Sequence, residues 1–310
     1  MSTVLLCGGT GLIGKRLTQL LIERNHQVII LTRNQSLISS DNNQNPTYAH
    51  WDPSIHLIDL SAIQKADHII NLSGANLAAK RWTAKRKHII SESRKQAGEL
   101  LVSTLKENPN QVETVINASA IGWYGSDAVH HGMATPFTED MPPGADFIAT
   151  VCRLWEESID PITLLNKRLV KIRTGLVLSA EGGLLHELMK PARLGLATFF
   201  GNGKQMQSWI HIDDLCRIYI HALENQSLHG TYNAVAPKPV ENKMLVTAVA
   251  QKMKGSFYIT AYVPFFLLKW ILGEMSKELI KSTTVDCTKI HSTGFKFIFP
   301  SLESALNDLL

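Results

Sequence analysis

The heptapeptide Gly8-Gly9-Thr10-Gly11-Leu12-Ile13-Gly14 constrains this chain more than any other feature. An apolar run, Thr3 to Cys7, leads into it. Apolar residues at helical spacing follow (Leu12, Ile13, Leu17, Leu20, Leu21), and Gln27 to Leu31 is apolar again. Strand, glycine turn, helix and strand together make a βαβ unit. Gly9, Gly11 and Gly14 satisfy GxGxxG, and Gly8, Gly11 and Gly14 satisfy the related GxxGxxG. Such glycines let backbone N–H groups approach a pyrophosphate at the positive end of the helix. All seven residues are therefore candidate dinucleotide contacts.

An acidic residue about 20 positions beyond the turn would hold the adenosine ribose of NAD. Here the second strand instead ends Leu31-Thr32-Arg33-Asn34. A guanidinium at that place can fork onto a 2′-phosphate, and the Thr32 hydroxyl can add a donor. The expected cofactor is NADP(H), with NADPH preferred over NADH. Lys15 and Arg16 either reinforce that preference or face solvent.

The alternation continues through His68 to Leu72, a helix from about Thr83 to Lys106, Thr114 to Ala118, a helix near Ala149 to Ile159, and Arg168 to Leu178. Apolar runs separated by amphipathic helices imply a parallel sheet covered on both faces, an α/β Rossmann-type doubly wound fold. Beyond Ser179, Gly182, Gly183, Gly195, Gly201 and Gly203 mark loops before a strand at Trp209 to Ile212 and a helix from Asp213 to Leu223. We assign residues 1–180 to the dinucleotide-binding domain, with strands and helices returning to it around 208–235. Residues 181–310 form a smaller, mainly helical C-terminal lobe for substrate, with helices expected at Asn242 to Met253, Pro264 to Ser282, and from Leu302.

Several function classes are excluded. With 45% hydrophobic and 19% charged residues, the 310-residue chain is no disordered or low-complexity protein. A net charge of +4 without Lys/Arg clusters interleaved with aromatics does not make a nucleic-acid footprint. The dense basic stretch Lys80 to Lys87 reads as a solvated helix start near the cofactor. Cys7, Cys152, Cys216 and Cys287 lie far apart, which suits reduced thiols and a cytoplasmic location. Met1 to Cys7 lacks the pattern of a secretory signal. Ala261 to Leu272 contains Pro264 and Lys269 and is shorter than the ~20 residues a membrane span needs, so it reads as a core or interface helix. His211, Asp213 and Asp214 suggest a helix cap with acidic residues at the positive dipole end, and no metal is expected. The partner is a small-molecule substrate, with no nucleic acid and no membrane; a homodimer is left open.

Asn71-Leu72-Ser73-Gly74-Ala75-Asn76, Arg81-Trp82-Thr83, Ser93-Arg94, Ser119-Ala120-Ile121-Gly122-Trp123-Tyr124-Gly125, Arg173-Thr174-Gly175 and Ser208-Trp209-Ile210-His211-Ile212-Asp213-Asp214 follow in order. With the glycine turn, this series resembles the short-chain dehydrogenase/reductase superfamily in its extended, NAD-dependent epimerase/dehydratase-like branch, and within it an atypical subgroup, the epimerase family. Gly273-Glu274, Gly294-Phe295 and Phe299-Pro300 resemble the C-terminal domain of unknown function that accompanies the subgroup. The resemblance implies cofactor contacts at Thr32, Arg33, Leu72, Ser73 and Arg94, the last on analogy alone.

It also implies an active site with a Ser or Thr at the end of the fifth strand and a Tyr within YxxxK. Ser119 stands at that strand end, either orienting a carbonyl or capping the turn. The segment expected to carry YxxxK reads Asp146 to Glu156 without Tyr or Lys. Tyr124 is the nearest tyrosine to Ser119, either as the acid/base or as part of a structural loop; Glu139, Asp140, Cys152 and Arg153 are looser candidates. In nucleotide-sugar members an arginine of the second lobe pairs with the substrate diphosphate, and the corresponding place here is Gln207, a neutral amide that cannot replace a charged fork. The expected function is an oxidoreductase or epimerase acting on a small carbonyl or hydroxyl compound. The alternative is a non-catalytic NADPH-binding regulatory or redox-sensing protein.

Overall fold

A computed structural model of the chain describes residues 1–38, 44–127, 129–130 and 133–310. Its main elements are β1 (Thr3–Cys7), α1 (Leu12–Glu23), β2 (Gln27–Thr32), β3 (Thr47–Asp52), β4 (Leu57–Ile58), α2 (Leu60–Lys65), β5 (His68–Asn71), α3 (Ala84–Glu107), β6 (Thr114–Ala120), α4 (Phe147–Ile159), β7 (Arg168–Thr174), β8 (Leu176–Leu178) and α5 (Gly183–Ala192). They continue with β9 (Leu196–Phe200), β10 (Trp209–His211), α6 (Ile212–Glu224), β11 (Gly230–Ala234), α7 (Asn242–Lys254), β12 (Ile259–Val263), α8 (Phe265–Leu272) and α9 (Leu302–Leu309).

Eight strands form one sheet in the order β11-β7-β6-β5-β1-β2-β3-β4, parallel except for the antiparallel β3·β4 edge. Side chains alternate across it. Val4 and Leu6 join Leu17, Leu21, Leu215 and Ile218 of α1 and α6 on one face. Leu5 and Cys7 join Ile63 of α2 and Ala97, Leu101 and Leu105 of α3 on the other. Burial on both faces is why these strands are continuously apolar, and each fully buried Leu or Ile contributes about 1.5–3 kcal/mol. The strand order reverses at β1, which has β2 on one side and β5 on the other. That reversal opens a crevice at the carboxyl ends of β1 and β5, the ligand position of such sheets.

The second lobe packs α5, α7 and α9 around Leu185, Leu188, Trp209, Leu245, Val249 and Leu306. It also holds the parallel pair β9·β12, which the expected helical lobe did not include, while the expected strand segments at Leu176–Leu178 and Trp209–His211 pair in parallel as β8·β10. The expected strand Arg168 to Leu178 is two strands, because Gly175 lies against Ser208 O and leaves no room for a Cβ. The expected helix Pro264 to Ser282 is also interrupted: Gly273, at φ +65°, ends α8, and a short helix resumes at Ser276–Leu279. Residues 282–286 then run as a strap between the two lobes. Asp127 N–H donates to Ser282 O (2.9 Å) and Phe137 N–H to Thr284 O (2.8 Å) on one side, and Thr283 N–H donates to Met206 O (3.0 Å) on the other.

Candidate functional site

The glycine turn sits at the β1 end of the crevice. Gly8 has φ +79°, and Gly11 N–H donates back to its carbonyl (3.1 Å). A Cβ on Gly14 would stand 2.4 Å from Gly8 O and 2.6 Å from Gly9 Cα, so only glycine lets α1 start this close to β1. Gly9 packs against Ile30, while Thr10 and Gly11 are exposed. No side chain caps α1 and its first turn carries no acid, which leaves its N–H groups and positive dipole end to a ligand. Ile13 turns into the core, and Leu12 meets the start of α5 across the crevice, 3.4 Å from a Cβ built on Gly182.

At the end of β2, Thr32 is buried and its hydroxyl accepts from Asn34 N–H (3.0 Å). Arg33 beside it is exposed and makes no ion pair among the described residues. Arg16 is different: its guanidinium forks onto Asp213 (2.6 and 2.8 Å), tying α1 to α6, so it is not free for a phosphate. At the end of β5, Leu72 N–H donates to Cys7 O (2.9 Å) and the Leu72 carbonyl borders Gly8. Ser73 is held by Asn71 Oδ1, and Asn71 in turn donates to Asn117 Oδ1 (2.7 Å) on β6.

Arg94 reaches this place from α3. Its guanidinium is buried under Gly74, donates to Ala75 O (3.1 Å) and Ile90 O (2.9 Å), and lies over the Trp155 ring. No carboxylate pairs with it among the described residues, and burial pulls its pKa down to about 10. A buried cation without a counterion is costly by several kcal/mol, a cost offset here in part by the two carbonyls and the Trp155 ring.

Ser119 and Tyr124 are brought together, but inside a buried network. Ser119 Oγ donates to Glu156 Oε1 (2.7 Å), and Glu156 takes a two-pronged bond from Arg173 (2.8 and 3.0 Å); the charged side chains are only 2% and 3% exposed. Arg173 Nη1 also donates to the Tyr124 oxygen (3.0 Å), whose own proton goes to Asn233 Oδ1 (2.6 Å). Burial pushes the Tyr124 phenol up to about 12. The Trp123 ring covers the Arg173 guanidinium at 3.8 Å. On the other side of Glu156, Lys171 Nζ lies 3.6 Å from Oε2 and 2.7 Å from Asp160, which is half exposed.

The α4 face that meets the end of β6 carries Ile148 and Cys152, one turn apart as YxxxK would be. A Cβ on Gly122 would lie 2.3 Å from Ile148 and 3.7 Å from Cys152 Sγ. Burial drives the Cys152 thiol up to about 12. Asp140 is held by Thr138, the Glu139 carboxylate accepts from Asn233 N–H, and Arg153 pairs with Glu157 at the surface. Glu156, Arg173 and Asn233 were not singled out as site residues. A glutamate on the apolar stripe of α4 and an arginine inside the run Leu169 to Leu178 were the available signals.

Gln207 pairs with Val240, and its side-chain oxygen is buried without a hydrogen-bond partner among the described residues. His211 caps α6, Asp213 holds Arg16, and Asp214 holds Arg217, so the three share no common centre. Among the described residues no group of three His, Cys, Asp or Glu is placed to hold a metal, and no helix is long and apolar enough to cross a membrane. The basic stretch docks the C-terminal segment: Lys87 pairs with Glu274 and lies over the Phe147 ring, and Arg81 lies beside Gly273.

An epimerase family protein of Staphylococcus saprophyticus is 34% identical over 311 residues, spanning 100% of both chains. The chain belongs to the NAD dependent epimerase/dehydratase family. The profile of that family matches residues 4–150, and a domain of unknown function (DUF1731) matches residues 263–309. Among solved structures, the human epimerase family protein SDR39U1 (isoform 2) with NADPH has a TM-score of 0.84 at 28% identity, covering 99% of this chain and 98% of that one. A nucleoside-diphosphate sugar epimerase of Corynebacterium glutamicum has a TM-score of 0.78 at 30% identity, covering 100% of this chain and 58% of that one. The family is an NAD(P)-binding one, and the uncapped α1 turn at the end of β1 fits a dinucleotide diphosphate.

Proposed function

We propose that this chain is an NADP(H)-binding short-chain dehydrogenase/reductase that reduces or epimerises a small carbonyl or hydroxyl compound between its two lobes. The observation that carries the cofactor preference is Arg33, an exposed guanidinium at the end of β2 with no ion-pair partner among the described residues, where an NAD-specific chain needs a carboxylate. In this reading the first-turn N–H groups of α1 hold the diphosphate, Arg33 and Thr32 hold the 2′-phosphate, Leu72 and Ser73 line the dinucleotide, and Arg94 gains its missing anion. Bound nicotinamide supplies hydride transfer. The human relative was solved with NADPH, which agrees.

For the proton, Ser119 is favoured over Tyr124, whose phenol both donates and accepts within the network and is shifted away from neutrality. From Ser119 a row of groups, Glu156, Lys171 and Asp160, leads from the end of β6 to solvent. The neutral Gln207 argues for a substrate without a nucleoside diphosphate.

A second reading is supported by Ile148 and Cys152 at the YxxxK spacing and by the engaged protons of Ser119 and Tyr124. It makes the chain a binding or regulatory protein that uses NADPH as its ligand. Calorimetry decides the cofactor. NADPH is expected to bind more tightly than NADH, and Arg33→Asp to weaken NADPH by roughly 10- to 100-fold with little change for NADH. Equal affinities in the native protein would overturn the assignment. Nicotinamide absorbance with a panel of aldehydes and ketones, and product analysis for epimerisation, separate the two readings: turnover establishes the enzyme, and none across the panel favours the ligand-binding protein.

A further inference from the structure

Helix α8 reads Phe-Phe-Leu-Leu-Lys-Trp-Ile-Leu, yet only Leu268 of its eight residues is buried. A helix that is hydrophobic all round belongs in an interior. The strand before it, β12, is equally open. Phe257 is 88% exposed, Tyr262 62%, Phe266 74% and Trp270 76%, with Ile259 and Ile271 beside them. Four aromatic side chains at such exposure amount to roughly 600 Å², the upper end of what a monomer leaves open.

We infer that β12 and α8 form the contact between two copies of this chain. β12 pairs only with β9 among the described residues. Ile259 N–H donates to Gly195 O (2.8 Å) and Gly201 N–H donates to Val263 O (3.1 Å), so residues 259, 261 and 263 turn their backbone groups towards β9. By alternation, Thr260 and Tyr262 turn theirs to the open edge. An antiparallel pairing about a two-fold axis at Ala261 sets Thr260 of one copy opposite Tyr262 of the other, a hydrogen-bonded pair that occurs twice by symmetry. Two copies would bury up to ~1,200 Å² of aromatic surface together, which with the flanking aliphatic side chains reaches the lower bound of a standard stable interface. The one charge on α8 is Lys269, so self-pairing brings few like charges together. A membrane-surface helix would instead need a strongly charged opposite face, which α8 lacks.

Sedimentation velocity of the full chain over a concentration series tests the inference. The expected species has twice the 34.4 kDa chain mass, and Phe266→Glu/Trp270→Glu, both exposed sites, should raise the dissociation constant at least ~100-fold while circular dichroism and NADPH binding stay unchanged. Amide exchange at Thr260 and Tyr262 should slow as the native protein self-associates. A native protein that is monomeric throughout, whether or not it binds phosphatidylglycerol vesicles, overturns the inference. So does a dimer that the double variant leaves intact, or one that protects neither amide.

Discussion

Glu156→Gln removes one charge from the buried network and keeps its shape. In the native protein the carboxylate accepts from Ser119 and from both Nε and Nη2 of Arg173, with Lys171 at 3.6 Å. The amide can still accept one bond, but Arg173 is left with its charge and no carboxylate on it, retaining the Tyr124 hydroxyl, the Glu139 carbonyl and the Trp123 ring as further partners. Stranding one member of such a pair costs about 3–5 kcal/mol. For a 310-residue chain each kcal/mol moves the melting temperature by about 1.5 °C, so the variant should melt roughly 4–8 °C lower. Thermal unfolding of the ligand-free protein at neutral pH reads this directly. Glu156→Leu/Arg173→Met, which removes both charges, should lose less than Glu156→Gln, because no isolated charge remains. NADPH affinity at 25 °C should change little in either variant, since the glycine turn and Arg33 lie at the ends of other strands. A Glu156→Gln melt within 2 °C of native, or a double variant at least as damaged as the single one, would refute the claim that one charge pair organises this end of the sheet.

The remaining expectations concern the cofactor crevice and pH. Arg94→Met should leave the ligand-free melt unchanged or raised, because it removes an uncompensated buried cation, while weakening NADPH at least ~10-fold; a lowered melt with intact NADPH binding would contradict it. Gly14→Ala places a Cβ against the Gly8 and Gly9 backbone and should destabilise the fold by about 1–3 kcal/mol and abolish NADPH binding, read by urea unfolding and calorimetry. Burial holds His26, His68, His211 and His221 below their ordinary value of 6.5. Below pH 6.5 the unfolded chain therefore takes up protons that the folded one refuses, and stability falls until the folded values are passed. The urea midpoint should drop between pH 7.5 and 5.5, and a flat profile over that range would count against it.

Much of the first half was legible in the sequence because local signals and tertiary demands agree there. β1, the glycine turn, α1 and β2 are each specified within a few residues, and both sheet faces bury what the apolar runs supply. β3 escaped notice for a physical reason. Thr47–Asp52 is short and partly polar, and it is a strand only because β2 offers it a free edge. The break in the helix after Leu272 follows from Gly273, whose left-handed backbone overrides the apolar pattern around it.

The site divides along the same line. Gly8 to Gly14, Thr32 and Arg33 could be named as candidates because each sits at its own strand or helix end. The Ser119–Glu156–Arg173–Tyr124 network could not, because it joins β6, α4, β7 and the loop after β6, and no local spacing encodes that meeting. What a sequence does carry is the conflict: Ile148, Cys152 and Glu156 fall one turn apart on the same stripe of α4. A carboxylate on a stripe otherwise filled by Ile148, Val151, Cys152, Trp155 and Ile159 needs a buried cation opposite it. The run Leu169 to Leu178 contains one arginine, Arg173, the last residue but one of β7. Polar residues at positions that periodicity reserves for the core thus point to each other before any coordinates do, and here they locate the floor beneath Ser119, where the familiar tyrosine and lysine are absent.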